Sequence, residues 1–147
     1  MKSFSEILRR LLPGLWLGLL LAIALIATPA ASGALDKASF GAVARAIFAR
    51  EAPASLVFGV LLLAIERRDA LARHLATGVT QFSTEMMLAA GALFCTVAGY
   101  YGLLPAMELA RSGAPTALSF MQLHALSLAF FGAKGLMVLA LAWKAAK

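Results

Sequence analysis

Four long stretches of this 147-residue chain are apolar almost without interruption, and that leaves few ways to fold. They are Leu11–Ala31, Ala52–Ile65, Met86–Leu104 and Leu118–Trp143, the last interrupted by the single charge of Lys134. A hydrocarbon core of about 30 Å takes about 20 helical residues to cross. The first, third and fourth runs are long enough alone. The 14 uncharged residues of the second rise only about 21 Å as a helix, so its helix must start earlier, through Arg50 and Glu51, or the bilayer must thin. The runs lack the alternation a membrane barrel needs. The expectation is an all-α membrane protein: a four-transmembrane-helix bundle forming one integral-membrane domain over residues 1–147, with spans at about 11–31, 48–65, 85–104 and 118–143.

Composition agrees, with 62% hydrophobic residues, 14% charged residues and a mean hydropathy of +0.88, outside the range of soluble domains. The first run, preceded by Lys2, Arg9 and Arg10 and followed by "TPAASGA", has the outline of a secretory signal. Its apolar stretch is long for one, so it reads as a retained span. Orientation follows from Lys and Arg near the span ends. Lys2, Arg9, Arg10, Arg67, Arg68, Arg73, Lys144 and Lys147 share one side, against Lys37, Arg45, Arg50 and Arg111 on the other. Both termini are therefore expected in the cytoplasm of a multi-pass bacterial inner-membrane protein. The net charge of +6 is gathered at span ends without interleaved aromatics, which points to anionic lipid headgroups and away from nucleic acid. Cys95, the one cysteine, excludes an intrachain disulfide and reads as packing.

Between the first two spans, Phe40, Val43, Ala44, Ile47 and Phe48 lie on one helical face with Arg45 opposite. This predicts a short interfacial amphipathic helix capped by Asp36 or Ser39 and leading at Pro53 into the second span. The alternative is that these residues are the first turns of one long, kinked second helix. The loop from Glu66 to Glu85 is expected to hold a helical turn or two. Pro105, Gly113 and Pro115 punctuate the opposite loop.

Small residues at four-residue spacing mark packing faces, because helix association in lipid depends on close approach. Gly14, Gly18 and Ala22 form such a stripe in the first span, Ser55 and Gly59 in the second, and Ala92, Thr96 and Gly99 in the third. They are expected to meet at the bundle centre, lining the monomer core. His124, Ser127, Phe131 and Lys134 share one face of the fourth span, and Glu85 lies on the same side of the third span as its small-residue stripe. A lysine at helix centre costs roughly 2.5–3.5 kcal/mol on insertion scales. It is expected to turn inward and reach Glu85 or water, or to snorkel toward the cytoplasmic headgroups.

His124 and Met121, with Met107 in the adjacent loop, offer imidazole and thioether groups suited to Cu(I). Haem held by His74 and His124 of one chain is disfavoured, since they belong to opposite sides. A parallel homodimer pairing His124 with itself would evade that objection. No nucleophile with its base, phosphate loop, paired carboxylates or zinc spacing is visible, so no enzyme and no cofactor is expected.

The stretches "LWLGLLLAIALIATPA", "FGAVARAIFAR" and "FMQLHALSLAFFGAKGL" resemble the transmembrane protein 205-like family of small membrane proteins, whose bacterial members are mostly described as a domain of unknown function. The family's Leu-Trp-Leu-Gly start is matched by Leu15, Trp16, Leu17 and Gly18, its Ile-Phe by Ile47 and Phe48, and its Leu-His-Gly-x-Ser motif by Leu123, His124 and Ser127. Ala125 replaces the glycine of that motif, and Phe131 stands where many members have asparagine. The resemblance implies a four-helix membrane bundle and brings no established chemistry. The residues read best as an accessory, assembly or homo-oligomeric membrane subunit, within itself or in a larger complex. A transporter or ion-conducting protein using Lys134, His124 and Glu85 is the alternative, and a metal- or haem-binding protein through His124 and Met121 the second.

Overall fold

A computed structural model describes residues 4–147, so the reading that includes Lys2 falls partly outside the described residues. The described residues form four long helices: α1 Phe4–Ala34, α2 Lys37–Thr77, α3 Thr84–Arg111 and α4 Phe120–Ala145, each long and apolar enough to cross a membrane. By composition and architecture this is a multi-pass membrane bundle. α1 passes through a π-helical turn at Ile23–Ala27 and α3 through another at Val97–Gly102.

Local sequence sets the helix ends. Asp36 caps α2, its carboxylate accepting from the Ala38 and Ser39 N–H groups, each at 3.0 Å. The helix stops at Gly78, whose φ of 71° is the left-handed conformation that glycine takes without a Cβ clash. Ser119 and Gln122 close a reciprocal capping box at the start of α4, and Ser83 caps α3.

The separate interfacial helix expected between the first two spans is not formed. Residues 37–50 are the opening turns of the 41-residue α2, which continues through Pro53. Its length is about 61 Å, twice a hydrocarbon core. The Asp36 cap initiates the helix, and no second cap or break intervenes before Pro53. Pro53 removes one N–H donor and crowds the carbonyl one turn earlier, a cost that a packed membrane helix tolerates, and the helix runs on. The other end of α2 also extends further than a turn or two, to Thr77.

The core cluster is built from Leu12, Trp16 and Leu20 of α1, Leu62 of α2, Ala89 and Ala92 of α3, and Val138 and Leu141 of α4. Trp16 is fully buried and stacks on Phe58, with ring centroids 6.1 Å apart. Burial of these bulky side chains decides which face of α1 turns inward. Gly14, Gly18 and Ala22 lie roughly opposite that face and are exposed, with no atom within 4 Å of where a Cβ would stand on Gly14 or Gly18. The expectation that this stripe lines the monomer core is therefore corrected. The α2 and α3 stripes do pack inward: Ser55, Gly59, Ala92, Thr96 and Gly99 are all buried. A Cβ on Gly59 would lie 2.6 Å from Leu93, and one on Gly99 would collide with Phe130.

Candidate functional site: a buried ion pair between α2 and α4

Lys134 lies ten residues before Lys144, about 15 Å along α4 from the bundle end that carries residues 6 and 147. That is about half the depth of a hydrocarbon core. Side chains on a helix lean toward its N-terminus, so Lys134 leans away from that end and toward the opposite half of α2. There its Nζ donates to Glu51 Oε1 at 2.6 Å and to Ser55 Oγ at 3.4 Å. Both charged residues are only 3% exposed.

Ser55 is the hub of the cluster. Its hydroxyl donates to Glu51 Oε1 one turn earlier and accepts from Trp16 Nε1 at 2.9 Å. The cluster therefore ties three helices together: Trp16 from α1, Glu51 and Ser55 from α2, Lys134 from α4. Phe131 roofs it, with the Lys134 ammonium 4.9 Å from its ring centroid, and Phe48 meets Phe131 edge-on at 5.6 Å. Among the described residues no buried side-chain nitrogen or oxygen lacks a hydrogen-bond partner. An ion pair so enclosed is tolerable in a low-dielectric interior only because its remaining donors and acceptors are met.

The sequence expectation paired Lys134 with Glu85, and the structure separates them. Glu85 sits in the first turn of α3 and takes Lys144 at 3.2 Å instead. Lys144 lies ten residues beyond Lys134 on α4, and Lys134 leans the other way; snorkelling toward the headgroups of that end is excluded by the same geometry. Ser127 does pack inward, its hydroxyl donating to Gly99 O at 3.2 Å, where α3 passes through its π turn. His124 is exposed, stacked on Phe120 with centroids 6.1 Å apart. The expected network of His124, Ser127, Lys134 and Glu85 is thus not one site.

Met121, the second expected metal ligand, is 70% exposed. No group of three or more His, Cys, Asp or Glu among the described residues is placed to hold a metal ion. Cys95 is buried, and Thr96 returns its hydroxyl to Ala92 O at 3.0 Å within its own helix.

Glu51 and Trp16 are the site residues that sequence reasoning missed. The signal was present: Glu51, Ser55 and Gly59 repeat at four-residue spacing, so the small-residue stripe of α2 continues one turn back into the acid. Leu12, Trp16 and Leu20 have the same spacing on α1, with more area to bury than the glycines beside them.

A second charged cluster stands at the bundle end that carries residues 6 and 147. Arg9 binds Glu66 through two nitrogens, at 2.6 and 3.1 Å, and reaches Asp69 at 3.4 Å. Beside it stands the Lys144–Glu85 pair.

A family model described as a domain of unknown function (DUF4149) matches residues 11–115. It covers well over half of the chain, and the chain belongs to that family. The matched stretch holds Trp16, Glu51 and Ser55, while Lys134 and His124 lie beyond it. No curated protein and no solved structure matches the chain.

Proposed function

We propose that this member of the family works by association in the membrane, as an accessory, assembly or homo-oligomeric subunit, with no catalytic chemistry and no cofactor of its own. The supporting observation is the outward small-residue face of α1. Gly14 and Gly18 meet nothing within 4 Å, whereas Gly59, Gly91 and Gly99 are all in close contact with neighbouring helices. A small-xxx-small face turned to lipid is a surface on which another helix can approach closely. The Lys134–Glu51–Ser55–Trp16 cluster supports the same reading, since its groups satisfy one another and hold three helices in register.

The bilayer in question is the bacterial inner membrane, with both termini in the cytoplasm. Seven described basic residues on the terminal side against four on the other favour this orientation, and Lys2 would add an eighth. The resemblance of Leu15–Gly18 and Ile47–Phe48 to the transmembrane protein 205-like family belongs to this reading. It brings no chemistry.

Native mass spectrometry in mild detergent, after extraction from the source membranes, tests it. The expected result is a homo- or hetero-complex without extra mass, dissociated by Gly18→Leu while thermal unfolding of the bundle is unchanged. A monomeric wild type, or a complex indifferent to Gly18→Leu, would overturn association. Added mass matching haem or copper would overturn the absence of a cofactor and return attention to His124 and Met121.

Ion translocation is the second reading, favoured by one observation: ionisable side chains at this depth commonly mark pathways, and Lys134–Glu51 is such a pair. Flux into liposomes that is abolished by Lys134→Met with the fold intact would select it.

A further inference from the structure

At the bundle end that carries residues 6 and 147, the four helices leave a cavity of about 420 Å³ open to the outside. Its lining is unusual for an apolar bundle, with four cations against three carboxylates. Two of those carboxylates are already neutralised. Glu66 is taken by Arg9 and Glu85 by Lys144. The two remaining cations differ. Arg10 makes no ion pair or hydrogen bond with any described residue, and Lys147 only lies over the Trp143 ring at 5.6 Å. Pro13 and Leu141 complete the wall on the side toward the apolar core.

We infer that this cavity binds a phosphate group, carried by a lipid headgroup or free, with Arg10 and Lys147 as its direct ligands. Glu66 and Glu85 are held by Arg9 and Lys144, so an entering anion meets the guanidinium of Arg10 and the ammonium of Lys147, the two lining cations that no lining carboxylate pairs with. A guanidinium presents paired N–H donors that match phosphate oxygens. The cavity also opens where Trp143, 65% exposed, and the terminal charges of α1 and α4 mark a headgroup level. Basic pockets between transmembrane helices take phospholipid headgroups on these terms. The inference does not depend on the association reading.

The test uses the full-length protein, delipidated in mild detergent and titrated with phosphatidylglycerol, phosphatidylcholine and inorganic phosphate. Native mass spectrometry follows lipid adducts, and calorimetry follows the free anion. The expected result is one equivalent of phosphatidylglycerol or of inorganic phosphate, weakened about tenfold or more by Arg10→Gln with Lys147→Gln. Thermal unfolding should not change, because neither side chain holds an ion pair with any described residue. Adducts of phosphatidylglycerol without phosphate binding make a lipid headgroup the source, and the reverse makes it the free anion. Binding of phosphatidylcholine equal to phosphatidylglycerol, binding unaltered in the double variant, or no binding of either anion would overturn the site.

Discussion

Two ion pairs of this bundle, Lys134–Glu51 and Lys144–Glu85, are built on opposite principles. At mid-depth, one lysine and one glutamate are enclosed by a serine, a tryptophan and two phenylalanines, with both charges almost fully buried. At the terminal end, Lys144 and Glu85 stay partly exposed, their side chains 40% and 24% accessible. The first pair derives its strength from a low dielectric and depends on every neighbouring donor and acceptor. The second is softened by water and salt. Proximity of opposite charges is therefore a poor guide to what a pair contributes here. Enclosure decides it.

The largest expected effect follows from breaking the enclosed pair on one side only. Lys134→Met leaves the Glu51 carboxylate buried without its cation and should destabilise the bundle by about 3–5 kcal/mol, read by thermal or denaturant unfolding in mild detergent. Next comes Ser55→Ala, which strands the Trp16 indole N–H and removes a donor to Glu51. Its expected cost is about 1–3 kcal/mol. A blue- or red-shift of the buried tryptophan emission would report the same loss locally. By contrast, Lys144→Ala should cost about 0–1 kcal/mol and become harmless at high salt. A Lys144 effect as large as that of Lys134 would erase the distinction.

The smallest effect concerns a charge outside both pairs. Asp36 caps α2, and the Ser39 N–H and hydroxyl, with the Ala38 N–H, hold its carboxyl below the ordinary 3.8. A depressed carboxyl stabilises the folded chain above its unfolded value, and that contribution disappears as pH falls through the lower folded one. Wild type should therefore exceed Asp36→Ala by a constant margin from neutral pH down to about 4, converging with it in stronger acid. A margin that persists unchanged into strong acid would show that the cap is not ionic.

The four spans were legible because length and hydropathy alone require them. Whether residues 40–48 form a separate interfacial helix or open a long second one was left open for a local reason: an amphipathic face looks alike on both, and the structure shows the second. The site was half legible. Lys134 stood out as a charge inside an apolar run, but Glu51 was hidden by its place at a run boundary, where a carboxylate can be met by water. Glu85 was preferred because it shares the small-residue side of α3, a criterion blind to depth and to the lean of α4 side chains. Gly14 and Gly18 were misplaced because four-residue spacing fits two faces of one helix. Only the bulk of Trp16 chooses between them.

The measurement that bears most directly on the enclosed pair is a double-mutant cycle with Glu51→Leu and Lys134→Met, followed by equilibrium unfolding in mild detergent. Each single variant should lose about 3–5 kcal/mol, and the double variant much less than their sum, because two apolar side chains leave no charge stranded. A double variant whose loss equals the sum of the single losses would contradict it, showing that Lys134 and Glu51 do not depend on each other.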